Sequence, residues 1–308
     1  MTDSRDQYGE DAVFGSIVDG SITEIIDSTV SKVGPYAFCY CSALTTASFP
    51  NASSIGGSAF LNCAALTTAD FASCREIGVS AFYSCYSLTT VSFPSAVTIN
   101  KSAFQNCTKL ETASFPACKT IDQAAFKNCP ALTTLSFPAC ITIYGSAFAS
   151  CSKIESANFP SLSEISGNTA FQSCHSLSAI SMPNLSSIGA LAFDRCSKLA
   201  EATLPLVKII QRAAFSQCRS LSRVYAPALA TLGSSAFISC YNLTELHLEG
   251  VSSVVVLSNT DVFRSTPIGG YSASAGQYGS VYVPASLYDA FCSAANWSAW
   301  ASRIVSVS

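Results

Sequence analysis

The sequence predicts an α/β repeat solenoid, a right-handed superhelix with one parallel β-sheet, short helical turns opposite it, and a cap at each end. Three observations carry this expectation. First, an Ala-Phe pair recurs with its phenylalanine at Phe38, Phe60, Phe82, Phe104, Phe126, Phe148, Phe171, Phe193, Phe215 and Phe237, a step of 22 residues with one step of 23. Second, apolar or small residues hold fixed offsets in each copy; in the copy starting at Leu88 they are Val91, Phe93, Ala96, Ile99, Ala103, Phe104 and Cys107. Third, a proline closes the same segment at Pro50, Pro94, Pro116, Pro138, Pro160, Pro183, Pro205 and Pro227. A module this short cannot hide its apolar side alone, so copies at constant period must stack on one another.

Within one copy, Val91 and Phe93 alternate with Thr90 and Ser92, the period of a strand with one face inward. Pro94 ends that strand, because proline has no N–H to give a sheet ladder. Further on, the spacing of Ala103, Phe104 and Cys107 predicts about one turn of α- or 3₁₀-helix on the opposite side. The full pattern, LxxAxFPxAxxIGxxAFxxCxx, is cleanest in "IGGSAFLNCAALTTADF" and resembles the leucine-rich repeat of the BspA-like family. The resemblance spans roughly residues 22–256. It implies a leucine-rich-repeat coil and a bacterial, protozoan or phage-borne surface protein that adheres to host components or other cells.

Taken in order, residues 1–20 carry no repeat and read as a tail. Residues 21–257 form the solenoid, about ten 22-residue repeats with an N-terminal cap. Ile22, Ile25, Val30 and Val33 already sit in register, while Asp27 stands where Phe93 would be, as befits a capping copy whose outer side meets water. The one extra residue falls near Gly167 and Asn168, where a turn absorbs it. Residues 258–308 read as an irregular last repeat and a C-terminal cap. That segment begins with a stretched copy around Phe263 and the loop "GGYSASAGQYGS", then a strand at Val281–Val283 and a helix from near Ser286, with Leu287, Phe291, Trp297 and Trp300 as apolar contacts. It is similar to the tail of many BspA-like proteins.

Composition excludes several classes of function. Only 11% of residues are charged and the net charge is −3, so there is no basic stripe for a nucleic acid and no polybasic patch for a membrane. No apolar run is long enough to span a bilayer. The segment "MTDSRDQYGEDAVFGSIVDG" has neither the basic nor the apolar region of a secretory signal. The resemblance therefore points to a cell-surface, extracellular or virion-associated place that this segment does not itself indicate.

The fifteen cysteines follow the repeat. Ten share the column of Cys107, and Cys74, Cys118 and Cys140 share another with Ala52, Ala96, Leu162 and Val207. A column shared with alanine, leucine and valine is a buried apolar slot in which cysteine acts as a small hydrophobe. A ladder of disulfides between adjacent copies is the alternative, since in-register neighbours lie within bridging distance.

No catalytic constellation, metal site or cofactor motif is legible. The two histidines, His175 and His247, lie more than three copies apart, and no GxSxG, HExxH, Walker A or CxxC pattern occurs. The expected function is non-catalytic binding of a protein or glycan ligand through the outward positions of the sheet. Those positions are bland in the first copies, as in Thr90/Ser92, and charged or aromatic in the last three. Glu201, Arg223, Tyr225, Glu245 and His247 are thus the candidate ligand-binding residues, arginine and tyrosine being the types that most often dominate interfaces. Two alternatives stay open: a purely architectural spacer in a larger assembly, and ice binding by the ladder Thr46, Thr68, Thr90, Thr112 and Thr134.

Overall fold

The computed structural model describes residues 21–271 and 278–308. The chain forms two compact units, Met1–Ile154 and Glu155–Ser308. The predicted N-terminal tail lies outside the described residues, as does half of the "GGYSASAGQYGS" loop, residues 272–277.

In the first unit, strand Thr46–Ser48 pairs in parallel with Glu24–Ile26 on one side and Thr68–Asp70 on the other, while Thr90–Ser92, Thr112–Ser114 and Thr134–Ser136 form a second parallel trio. Each strand turns its middle residue inward and its two ends to solvent; the middle residue is fully buried in Thr46–Ser48, Thr90–Ser92 and Thr112–Ser114 and half-buried at Ile25, Ala69 and Leu135. This is the alternation expected from the sequence. The expectation of one sheet, however, is corrected. Ser54–Ile55, Glu76–Ile77, Thr98–Ile99, Thr120–Ile121 and Thr142–Tyr144 form another parallel ladder, each copy bonding to the same segment of the next. The isoleucine column that the sequence shows as core is also extended and β-branched, and an extended segment repeated at fixed register finds its backbone partners in its own copies.

The second unit follows the same plan. Ser156–Asn158 pairs with Ala179–Ser181, and Glu201–Thr203, Arg223–Tyr225, Glu245–His247, Ser280–Pro284 and Ile304–Val307 make a five-stranded parallel sheet. Ser187–Ile188, Ile209–Ile210, Thr231–Leu232 and Val256–Leu257 make its other ladder. The extra residue is absorbed at Gly167, whose φ of 98° lies in the left-handed region open to glycine.

The predicted helical turns are not helices. Tyr83 N–H bonds back to Ser80 and Cys85 N–H to Phe82, each three residues away, but Ser80 and Ser84 have φ of 56° and 60°. Two left-handed residues four apart break any helical run into separate tight turns. The N–H groups of Phe82 and Ser84 donate instead to Ala103 and Gln105 of the next copy, at 2.7 and 2.9 Å. Short polar residues recur at these positions, including Ser58, Asn62, Ser102 and Asn106, because they tolerate left-handed geometry better than branched side chains. Among the described residues the α-helix is Tyr288–Ser293.

The core of the first unit is two phenylalanine stacks. Phe82 and Phe104 lie 5.2 Å apart at 3°, Phe93 and Phe115 lie 5.4 Å apart at 6°, and the stacks meet edge to face, Phe104 to Phe115 at 63°. Offset stacking and edge contacts are both favourable for aromatic quadrupoles, by about 0.5–1.5 kcal/mol per pair beyond area burial. In the second unit Phe171, Phe193, Phe215, Phe237 and Phe263 form a stack of the same kind.

Every cysteine is a free thiol, and all but Cys292 are buried. Within each unit the main column has a specific bonding role: Cys85 Sγ donates to Phe60 O at 3.2 Å, Cys107 to Phe82 at 3.2 Å, Cys129 to Phe104 at 3.1 Å, and Cys240 to Phe215 at 3.0 Å. The turn carbonyl so satisfied would otherwise keep only its bond from the residue three positions on. Cysteine thus joins small apolar volume to a weak donor, which neither alanine nor valine supplies. Burial pushes the Cys107 thiol up to about 12, which removes the thiolate and with it the reactivity.

At the end of the second unit, side chains replace a further copy. Ala230 O and Leu232 O accept from Val256 and Ser258 of the next copy; the equivalent Val255 O and Leu257 O accept from Trp297 Nε1 at 2.7 Å and Asn296 Nδ2 at 3.1 Å. Trp297 and Trp300 cover Phe263, with ring centroids 6.0 and 5.1 Å away. Phe291 and Trp297 are buried as expected, whereas Leu287 and Trp300 are partly exposed. Two expectations follow. Trp297→Phe keeps the ring contact but strands a buried carbonyl, and should cost about 1–3 kcal/mol in urea unfolding of the full chain. A thiol reagent should spare the fourteen buried cysteines of the native protein and titrate all fifteen in guanidinium.

Candidate functional site

The five-stranded sheet of the second unit sets the site. Strict alternation sends Ala202, Val224, Leu246 and Val281 into the core and their neighbours outward. Parallel register then aligns the outward residues in two columns: Glu201, Arg223, Glu245 and Ser280 in one, Thr203, Tyr225, His247 and Tyr282 in the other. The five residues singled out in the sequence therefore share one face.

Four of them form a bonded chain. Arg223 Nε donates to Glu245 Oε2 at 2.6 Å and its Nη1 to Glu201 Oε1 at 3.3 Å. His247 places Nε2 3.1 Å from Glu245 Oε2 and Nδ1 2.6 Å from Glu249 Oε1, and its ring lies flat on Tyr282, 4.5 Å away at 9°. Tyr225 stands in register beside His247 and is 41% exposed. The Arg223 guanidinium, then His247, hold the Glu245 carboxyl below the usual range, and Glu245 in turn raises Arg223. Glu201 and Arg223 are well exposed, and water screens such pairs, so the network orders the face more than it stabilises the fold.

Two members were missed in the sequence. Glu249 occupies the column that holds Pro205 and Pro227 in the preceding copies, a substitution visible in the repeat alignment. Tyr282 lies beyond the point where the period fails, yet Ser280–Pro284 restores the strand pattern with its closing proline and pairs in register with Glu245–His247. His175 is apart from the site, its Nδ1 3.0 Å from Arg195 O.

The arrangement holds charged and aromatic side chains in fixed positions on one sheet face. The carboxylates of Glu245 and Glu249 sit on opposite ring nitrogens and do not converge on one point, and among the described residues no group of three or more histidine, cysteine or acidic side chains is arranged to hold a metal ion. A shallow pocket of about 270 Å³ near Pro227 and Gly250 has Lys208 as its charged lining residue and no histidine, cysteine or carboxylate. Among the described residues no helix is long and apolar enough to cross a membrane.

The repeat geometry has a family counterpart. The model of the BspA type leucine-rich repeat region, in six copies, matches residues 18–133 and 119–244. The chain belongs to that family of repeat proteins. Among solved structures it is similar to a leucine-rich cell surface protein from Faecalibacterium prausnitzii A2-165, with 24% identity, a TM-score of 0.49, and coverage of 91% of this chain and 83% of that one. It is also similar to the pneumococcal vaccine antigen PcpA, with 19% identity, a TM-score of 0.48, and coverage of 96% and 81%. A T. pallidum leucine-rich repeat protein shares 25% identity at a TM-score of 0.44, over 61% of this chain and 79% of that one. No curated protein matches the sequence at a significant level.

The lowered Glu245 pKa has a direct check. Its contribution to stability is present above the ordinary glutamate range and is lost as pH falls through the lower folded value. Carbon-detected NMR of the carboxylates should place the Glu245 titration below that of a free glutamate, and Arg223→Ala should move it back up.

Proposed function

We propose that this chain is a non-catalytic recognition module that binds a protein or glycan ligand through the outward face of Glu201–Thr203, Arg223–Tyr225 and Glu245–His247, and that it works at a surface, extracellular or virion-associated. The observation that carries the reading is the change of character along the outward columns. Threonine and serine fill them in Thr46–Ser48, Thr90–Ser92, Thr112–Ser114 and Thr134–Ser136, with Asp70 beside Thr68 an early exception, and the last three strands place an ordered chain of charged and aromatic groups on the same positions. Exposed tyrosine and arginine on a rigid strand lose little freedom on binding, which is the chemistry of an interface anchor. Family membership supports the surface setting and the non-enzymatic character. In this reading the coil is right-handed, residues 21–257 are its body, and residues 258–308 close it as a cap, with Asn296 and Trp297 in the place of another copy.

The test is direct binding of the purified chain to a glycan array and to immobilised host surface glycoproteins. Joint replacement Arg223→Ala and Tyr225→Ala should weaken the captured ligand at least about tenfold, the scale of a 1.4 kcal/mol loss. Unchanged affinity with an unchanged fold would move the binding site off this face.

A further inference from the structure

His247 carries a constraint that ligand binding by itself does not require. Its two ring nitrogens each face an oxygen of a carboxylate, Glu249 Oε1 at 2.6 Å and Glu245 Oε2 at 3.1 Å. Ionised carboxylate oxygens only accept. A neutral imidazole has one N–H, so it bonds one of the two and turns a lone pair on the other. The doubly protonated ring bonds both. The remaining groups around it are Tyr282 from the following strand, stacked on the ring, and Arg223 and Tyr225 from the preceding strand, with Arg223 already on Glu245. Glu249 Oε2 is buried and makes no hydrogen bond, so the His247 contact is what that carboxylate has to offset its burial.

We propose that His247 is a proton-operated brace for the ligand-binding face: as an imidazolium it ties Glu245 and Glu249 to one ring and fixes Tyr282 against it, and loss of the proton releases one carboxylate and loosens Tyr282. The brace regulates the face assigned under the proposed function and rests on that reading for its biological meaning. With the proton, three carboxylates (Glu201, Glu245, Glu249) stand against two cations (Arg223, His247), a balance of −1; without it the balance is −2. Partial burial alone would favour the neutral ring, but the bonds to Glu249 and Glu245 outweigh it and raise the His247 pKa. A raised histidine pKa gives stability that is fully present below the unfolded value of about 6.5 and is lost as pH climbs through the folded one. The face is therefore braced below the folded His247 midpoint, which lies above the ordinary imidazole value, and loosens as pH climbs through it.

Nitrogen-detected NMR of the imidazole rings in the full chain tests this without any ligand. At pH about 6.5, the ordinary midpoint, more than half of His247 should be doubly protonated, Glu249→Gln and Glu245→Gln should each lower its midpoint, and the Tyr282 ring signals should shift with that same midpoint. A His247 midpoint at or below the ordinary value, a midpoint indifferent to both glutamine variants, or a Tyr282 signal that ignores it overturns the brace. Because no ligand enters the measurement, failure of the array experiment leaves this result standing, and failure here leaves the ligand reading to its own double variant.

Discussion

Everything in this molecule depends on copies of one 22-residue segment holding the same register as they stack. The constraint is physical before it is functional. A single copy exposes Phe82, Phe93, Ile99 and Leu88 to water, and only a second copy at the same level covers them. Fixed register lets the phenylalanines meet face to face along each stack and edge to face between stacks, with Phe93–Phe115 and Phe104–Phe115 as the repeated contacts. The same register satisfies the backbone. The extended segments bond to their equivalents in the next copy, and so do the left-handed turns, through Phe82 N–H to Ala103 O and its counterparts. Even thiols of the main column obey it, Cys85, Cys107 and Cys129 each reaching a carbonyl 25 residues back.

The charged face is a by-product of that rule. Alternation decides which residues leave the core, and register decides which of them become neighbours. Arg223 lies 22 residues from both Glu201 and Glu245, so one glutamate stands on either side of the guanidinium without any loop having to be shaped for it. The face can vary because the core does not depend on it. Ala202, Val224 and Leu246 keep the interior filled whichever residues lie between them.

The sequence made the outward pairs legible residue by residue, because period two within a strand and period 22 between strands leave no freedom in their placement. It misled where one residue serves two patterns. The Ala103, Phe104 and Cys107 spacing fits a helix, but the left-handed backbone at Ser102 and Asn106 is invisible to a count of apolar positions, and it divides the segment into turns. Ile99 reads as core, which it is, and gives no separate sign of the second ladder it joins. Tyr282 was hidden because the chain runs 35 residues from Glu245 to Ser280 before it returns to the sheet, and no period bridges such an excursion. Glu249 was hidden for the opposite reason. It sits in register, but it replaces a structural proline, and the strand-end column is not among the outward positions that alternation marks.

That replacement also explains why the charged network gathers where it does. In the copies before it, a proline ends the strand and presents an apolar ring with no donor or acceptor on its side chain. At Glu249 the strand end gains a carboxylate, and His247, two residues earlier, points from the same strand toward it. A histidine there without Glu249 would have Glu245 alone; Glu249 without His247 would be a half-buried charge with no counter-ion, a costly arrangement. The pair is stable only together, and Tyr282 closes the remaining side by stacking on the ring. The arrangement owes little to its Arg223–Glu201 pair, since exposed ion pairs add little to a fold already held by its phenylalanine stacks. What it adds is a positioned aromatic ring, a fixed arginine and a charge that responds to protons, all on the solvent side of a rigid sheet.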